Sequence, residues 1–167
     1  MGLDMYLFKV ENTFLASNAL EEAYGAGKEI ELGYWRKANQ IHKWFCNRVA
    51  NGEDNCQPVL VSKELLSELL DTCRKVFNSC KMIAAQIRNG YTTNARGKRV
   101  YFYQQGKTIE NPALAKELLP TAEGFFFGGT DYDEGYYSDI VATIEILEGA
   151  LKNTNFSTET VFYQSSW

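Results

Sequence analysis

An apolar stripe in the middle of the chain narrows the folds open to it. Behind Ser62, the residues Leu65, Leu66, Leu69, Leu70, Cys73, Val76, Phe77, Cys80, Ile83, Ala84 and Ile87 recur at intervals of three and four. That spacing follows the 3.6-residue helical repeat and predicts one long amphipathic helix, capped by Ser62 and stopped at Asn89-Gly90. Burying a large apolar side chain is worth about 1.5–3 kcal/mol, so such a face must be covered and should organise the core.

Shorter signals flank it. Residues 3–10 carry Met5, Tyr6, Leu7, Phe8 and Val10 and read as an opening strand. Ser17 suits the cap of a short helix, Ala19 to Tyr24, ended by the following glycines. Gly33 to Ala50 reads as a second helix, stopped by Asn51-Gly52. Residues 91–99 are polar and basic; Val100 to Tyr103 suggests a short strand paired with 107–109 across Gln105-Gly106. Pro112 opens a small helix ending near Leu119, and Phe125 to Phe127 read as a strand. Thr130 with Asp133 forms a capping signal for a helix burying Tyr137, Ile140, Val141, Ile144, Leu147 and Leu151. The tail STETVFYQSSW has strand propensity and can pair with the first strand. With no repeat and no linker, 1–167 is expected to form a single α+β domain: two or three long amphipathic helices on a small, mostly antiparallel sheet.

Several chemistries are excluded. A single histidine rules out two-histidine phosphoesterases and H-E-x-x-H metalloproteases. His42 could serve a nucleophile only through Cys46, one turn away, and an adjacent-turn pair lacks an orienting shell. Gly25 to Glu29 fails as a phosphate loop, because Glu22 and Glu29 occupy positions that need Gly and Ser or Thr. The four cysteines form no C-x-x-C pair and read as reduced thiols. No metal or cofactor is expected. A net charge of −4 argues against a broad surface for double-stranded nucleic acid. The N-terminus lacks a charged leader and no run is long enough to span a bilayer, so a cytoplasmic location without membrane partners is expected.

The segment GYWRKANQIHKWF, Gly33 to Phe45, is the best place for a binding site. On a helix, Trp35, Asn39, His42 and Cys46 fall in one stripe that alternates an aromatic plate with hydrogen-bonding groups, as the wall of a polar ligand pocket would. Arg36 and Lys37 at its start can meet a phosphate or carboxylate. The competing reading makes this a boundary face with a core tryptophan. Tyr132, Tyr136 and Tyr137 crowd the acidic turn of Asp131, Asp133, Glu134 and Asp139, which reads as helix-start chemistry or, alternatively, as a carboxylate site. Arg96, Lys98 and Arg99, followed by Tyr101 and Tyr103, interleave cations with aromatics as single-stranded nucleic-acid or nucleotide binders do.

The opening MGLDMYL, GYWRKANQIHKWF, the run from Leu119 to Gly128 and the Y-D-x-x-Y-Y of Tyr132 to Tyr137 together resemble a family of small uncharacterised bacteriophage and bacterial proteins. The resemblance supplies a setting, the bacterial cytoplasm, and no mechanism. Small phage accessory proteins often counter host defence, by sequestering a nucleotide-derived immune signal or by occluding a host protein. The leading expectation is therefore a non-catalytic binder of a small polar, nucleotide-like molecule. Its site would comprise Trp35, Arg36, Lys37, Asn39, His42, Tyr132 and Tyr136. The alternatives are a protein–protein inhibitor with an aromatic hot spot and a hydrolase centred on Asp131, Asp133 or Glu134.

Overall fold

A computed structural model describes residues 2–15 and 28–167; the helix expected at Ala19 to Tyr24 and the glycines after it lie outside these residues. The strands β1 (Asp4–Glu11), β2 (Ile30–Arg36), β3 (Val59–Val61) and β6 (Glu159–Ser166) make an antiparallel sheet in the order β2-β1-β6-β3. The opening and closing strands pair in one unbroken register, from Asp4 opposite Ser166 to Glu11 opposite Glu159, as the tail's composition suggested. A second, two-stranded sheet joins β4 (Met82–Thr93) to β5 (Arg99–Ile109). The helices are α1 (Asn12–Leu15), α2 (Asn39–Arg48), α3 (Lys63–Ser79), α4 (Ala113–Leu118) and α5 (Glu134–Asn153). The architecture is α+β, as expected. No described helix is long and apolar enough to cross a membrane.

Strand alternation sends Leu3, Met5 and Leu7 into the main core, where they meet Leu66, Leu69 and Leu70 of α3 and Ile140 and Leu147 of α5. The opposite face of the sheet buries Phe8, Val10 and Phe162 in a smaller cluster covered in part by Phe14 and Leu15 of α1. Helix α5 approaches β2 at Gly33, where any Cβ would fall 2.2 Å from Cγ2 of Ile146. Lys9 is buried on the core face and donates to the Asn153 carbonyl (2.6 Å) at the end of α5 and to Glu159 (3.0 Å). Its positive charge thus sits where the helix dipole is negative.

Two predicted helices are shorter than their patterns. Ser62 does cap α3, its Oγ accepting from the Leu65 N–H, but the helix stops at Ser79. The rest of the stripe, Ile83, Ala84 and Ile87, belongs to β4. A separation of four is one helical turn and also two strand repeats, so Ile83 and Ile87 satisfy both periods. Pairing with the distant 99–109 segment decides for the strand. Consequently β5 is one continuous strand rather than a hairpin about Gln105-Gly106, and residues 94–98 form the turn. There Asn94 Oδ1 accepts from the N–H groups of Arg96 and Lys98, both at 3.0 Å.

The segment Gly33 to Phe45 is likewise split. Its first residues extend β2, with Trp35 opposite Met5. Lys37 then adopts a left-handed φ of 63°, and Ala38 (φ −75°, ψ 69°) forms an inverse γ-turn closed by the Asn39 N–H on the Lys37 carbonyl (2.8 Å). Only after this corner does α2 begin. Phe125 to Phe127 form a turn, not a strand, with Phe126 at φ 61°. The cap of α5 is Asp133, whose carboxylate accepts from Gly135 and Tyr136 N–H.

Candidate functional site

The corner at Lys37 detaches Trp35 from the proposed ligand stripe, whose other members Asn39, His42 and Cys46 stay on α2. Trp35 points from β2 into the core, 3% exposed, with its Nε1 donating to Thr143 Oγ1 at 2.9 Å and its ring against Phe45. It cannot act as a ligand plate, because its expected helical neighbours lie beyond a change of secondary structure. Asn39 is buried too. Its Nδ2 donates to the carbonyls of Phe127 (3.1 Å) and Gly129 (2.8 Å), and its Oδ1 accepts from Ala122 N–H (2.9 Å). Both polar atoms of this buried amide are engaged in holding the 122–129 loop.

His42 is 3% exposed. Its Nδ1 lies 2.7 Å from the Tyr163 hydroxyl and its Nε2 lies 3.0 Å from Asp54 Oδ2 and 3.5 Å from Cys46 Sγ. Asp54 lies off Nε2, whereas the Cys46 sulfur lies 3.5 Å from Nε2 and 3.8 Å from Nδ1, beside the ring and on the axis of neither nitrogen. In a nucleophile–base–orienter relay the thiol and the carboxylate would take opposite ring nitrogens. Burial, with help from the Asp54 charge, pushes the Cys46 thiol up to about 11, so it is protonated and unreactive near neutral pH.

Arg36, Lys37 and Tyr136 do come together. With Gln40, Arg88, Gly128, Asp131, Asp133 and Asp139 they line a cleft of about 340 Å³ between the Lys37 corner and the start of α5. Tyr136 is a buried wall whose hydroxyl donates to the Leu119 carbonyl (2.9 Å). Asp139 accepts from Gln40 Nε2 at 3.0 Å; burial raises its carboxyl to about 6. The Lys37 ammonium has no carboxylate within ion-pair distance among the described residues, whereas Arg36 reaches Asp4 only loosely, at 3.7 Å. Arg88 grips Asp131 through two hydrogen bonds. These two residues also line an adjoining cavity of similar volume, about 340 Å³, walled by Tyr103, Tyr132 and Asp133. Tyr132 packs against Tyr136 and its hydroxyl accepts from Thr121 N–H at 3.2 Å.

From Arg88 the surface continues along the β4–β5 hairpin. The Arg88 guanidinium stacks over Tyr101 (4.9 Å), Tyr101 meets Tyr91 edge to face (5.9 Å), and Arg99 stacks over Tyr91 (4.7 Å). A β-bulge makes this ladder. Arg88 pairs with Tyr103 and Tyr91 with Tyr101, so one extra residue is absorbed near Gly90, whose φ is 93°. Without the bulge, residues 88 and 91 would point to opposite faces. Residues 82–109 hold five cations (Arg88, Arg96, Lys98, Arg99, Lys107) and no acid, while the rest of the chain has 12 cations against 21 acids, a net −9. The hairpin is a basic arm on an acidic body.

The chain matches no family model, no curated protein and no solved structure.

The acidic turn is fully employed. Asp131 holds Arg88, Asp133 caps α5, and Glu134 accepts from Lys107 N–H at 3.2 Å. Arg88, Tyr91, Gln40 and Asp54 were not singled out by sequence reasoning. The bulge that aligns Arg88 with Tyr91 leaves only Asn89-Gly90 as its trace, and that dipeptide reads equally well as a helix stop.

Proposed function

We propose that this protein is a non-catalytic binder of a nucleotide-containing molecule, held along the cleft and the tyrosine ladder. The observation that carries the reading is the Arg88–Tyr101–Tyr91–Arg99 ladder opening into the cleft beside Arg36 and Lys37. Alternating guanidinium and aromatic planes suit bases and phosphates in succession. Lys37, which lines the cleft and has no carboxylate partner among the described residues, meets a phosphate; Asp139 and Gln40 offer polar partners for a ribose or a base edge. The resemblance to phage-borne proteins makes a nucleotide-derived signal of the host the natural candidate, with sequestration as the action.

Native mass spectrometry of protein purified from bacterial cells, followed by titration with nucleotides and short single strands, tests this. A stoichiometric adduct released unchanged by denaturation supports it. Tyr101→Ala should then weaken binding by the roughly 1–3 kcal/mol that one base stack contributes. Lys37→Ala should flatten the salt dependence. A protein that ignores every nucleotide offered refutes the proposal.

The second reading, a protein–protein inhibitor, is favoured by the other face of the arm, where Val100 and Phe102 are 45% and 54% exposed. Exposed aromatics of this kind form binding hot spots. Phe102→Ser separates the two readings, because it faces away from the tyrosine ladder.

A further inference from the structure

We propose that His42, Cys46 and Asp54 form a binding site for a divalent transition metal of zinc's chemistry, separate from the cleft. Ligand atoms of the three lie within 4.8 Å of one another. The His42 Nε2 to Asp54 distance is 3.0 Å and the Nε2 to Cys46 Sγ distance is 3.5 Å. The edges of a tetrahedral site with bonds of about 2.0–2.3 Å run roughly 3.3–3.7 Å, so the donors stand near that spacing and a swing of the Cys46 side chain toward Nε2 closes them around an ion. His42 and Cys46 project from successive turns of α2, and Asp54 comes from the loop behind it.

The supporting shell is also in place. A ligating imidazole needs its second nitrogen held, and here the Tyr163 hydroxyl sits 2.7 Å from Nδ1. Ser165 Oγ donates to Asp54 Oδ1 at 3.2 Å, and Gln164 Nε2 holds the loop through the Cys56 carbonyl at 2.9 Å. All three come from consecutive residues of β6. A carboxylate off Nε2 with a thiol beside the same ring lacks the opposed geometry of a proton relay, and it places three donor atoms where one ion can be shared.

Charge and protons balance without redox change. Cys46 releases its thiol proton to solvent as the sulfur–metal bond forms. The ion takes the Nε2 lone pair, so the neutral imidazole carries its one proton on Nδ1 and donates it to the Tyr163 oxygen. Thiolate and carboxylate then neutralise the dication. Asp54, with a side chain 26% exposed, leaves a route for the ion and a water for the fourth corner. A mixed N, S, O donor set at four-coordinate spacing selects zinc over magnesium or calcium.

The test is binding of zinc, read by native mass spectrometry and competition with a chromogenic chelator, and of cobalt(II), whose thiolate charge-transfer band reports a cysteine ligand. The wild type should take up zinc stoichiometrically and show the cobalt band. Cys46→Ser and Asp54→Asn should lose both while keeping the wild-type circular dichroism spectrum. Cys80→Ser, at the far end of α3, should retain both. Tyr163→Phe should lower affinity by about 10–100-fold, as for outer-shell partners elsewhere. No uptake by folded wild type, or equal uptake by Cys46→Ser, overturns the proposal.

Discussion

Replacing Trp35 with alanine discriminates between a tryptophan that serves a ligand and one that serves the fold. The side chain is almost wholly buried between β2 and α5, in ring contact with Phe45 and donating to Thr143. Truncating a buried Trp to Ala costs about 3–5 kcal/mol, because transfer energy is lost and a cavity remains. A domain of this size loses about 2–4 °C of melting temperature per kcal/mol, so Trp35→Ala should melt about 6–20 °C lower than wild type. Trp35→Phe keeps most of the ring and removes the N–H. Thr143 Oγ1 still donates to the Asp139 carbonyl at 2.6 Å, so this change should cost only about 1–2 kcal/mol. Urea titrations of the three proteins with common slopes would give the differences directly. A Trp35→Ala protein with the wild-type transition would refute the packing argument and return Trp35 to the ligand site.

Asp139 makes stability depend on pH. Its folded carboxyl titrates at about 6 against 3.8 for the free group. The folded state therefore holds the proton more tightly, and the associated stability is full below about pH 3.8 and lost as pH rises through about 6, by at most roughly 3 kcal/mol. Asp139→Asn should remove that falling limb from a stability–pH profile and be the more stable protein at neutral pH; an unchanged profile would refute the assignment. Asn39→Ala leaves the Phe127 and Gly129 carbonyls and the Ala122 N–H without their partner, at about 1–3 kcal/mol for each one that stays buried. Hydrogen exchange should quicken across residues 122–129 and spare β1 and β6; uniform loss of protection would mean that Asn39 supports the whole core instead.

Much of the fold was legible because the relevant signals are local. Ser62 capping α3, the Leu66 to Val76 face, the strand character of both ends and the Ile140 and Leu147 stripe each follow from neighbours within one or two turns. The failures share a cause. Trp35 and Asn39, like Ile83 and Ile87, stand four apart, a spacing that helix and strand periods have in common. Which period applies was decided by partners remote in sequence: Met5 for Trp35, Gln104 for Ile87. The candidate site suffered most, since three of its seven residues, Trp35, Asn39 and His42, were chosen for sharing a helical face from which β2 and the Lys37 corner remove Trp35.

Composition and local pattern by themselves determined an α+β chain with a Leu-rich helical core, one histidine and a basic segment in an otherwise acidic protein. Only the tertiary structure decided which of those groups meet. The pairing of the first and last strands, the bulge at Gly90 and the loop that carries Asp54 to His42 join residues up to 162 positions apart, as Asp4 and Ser166 show. Such contacts depend on backbone hydrogen bonds and packing between distant segments, and these leave no periodic trace in the residues that make them.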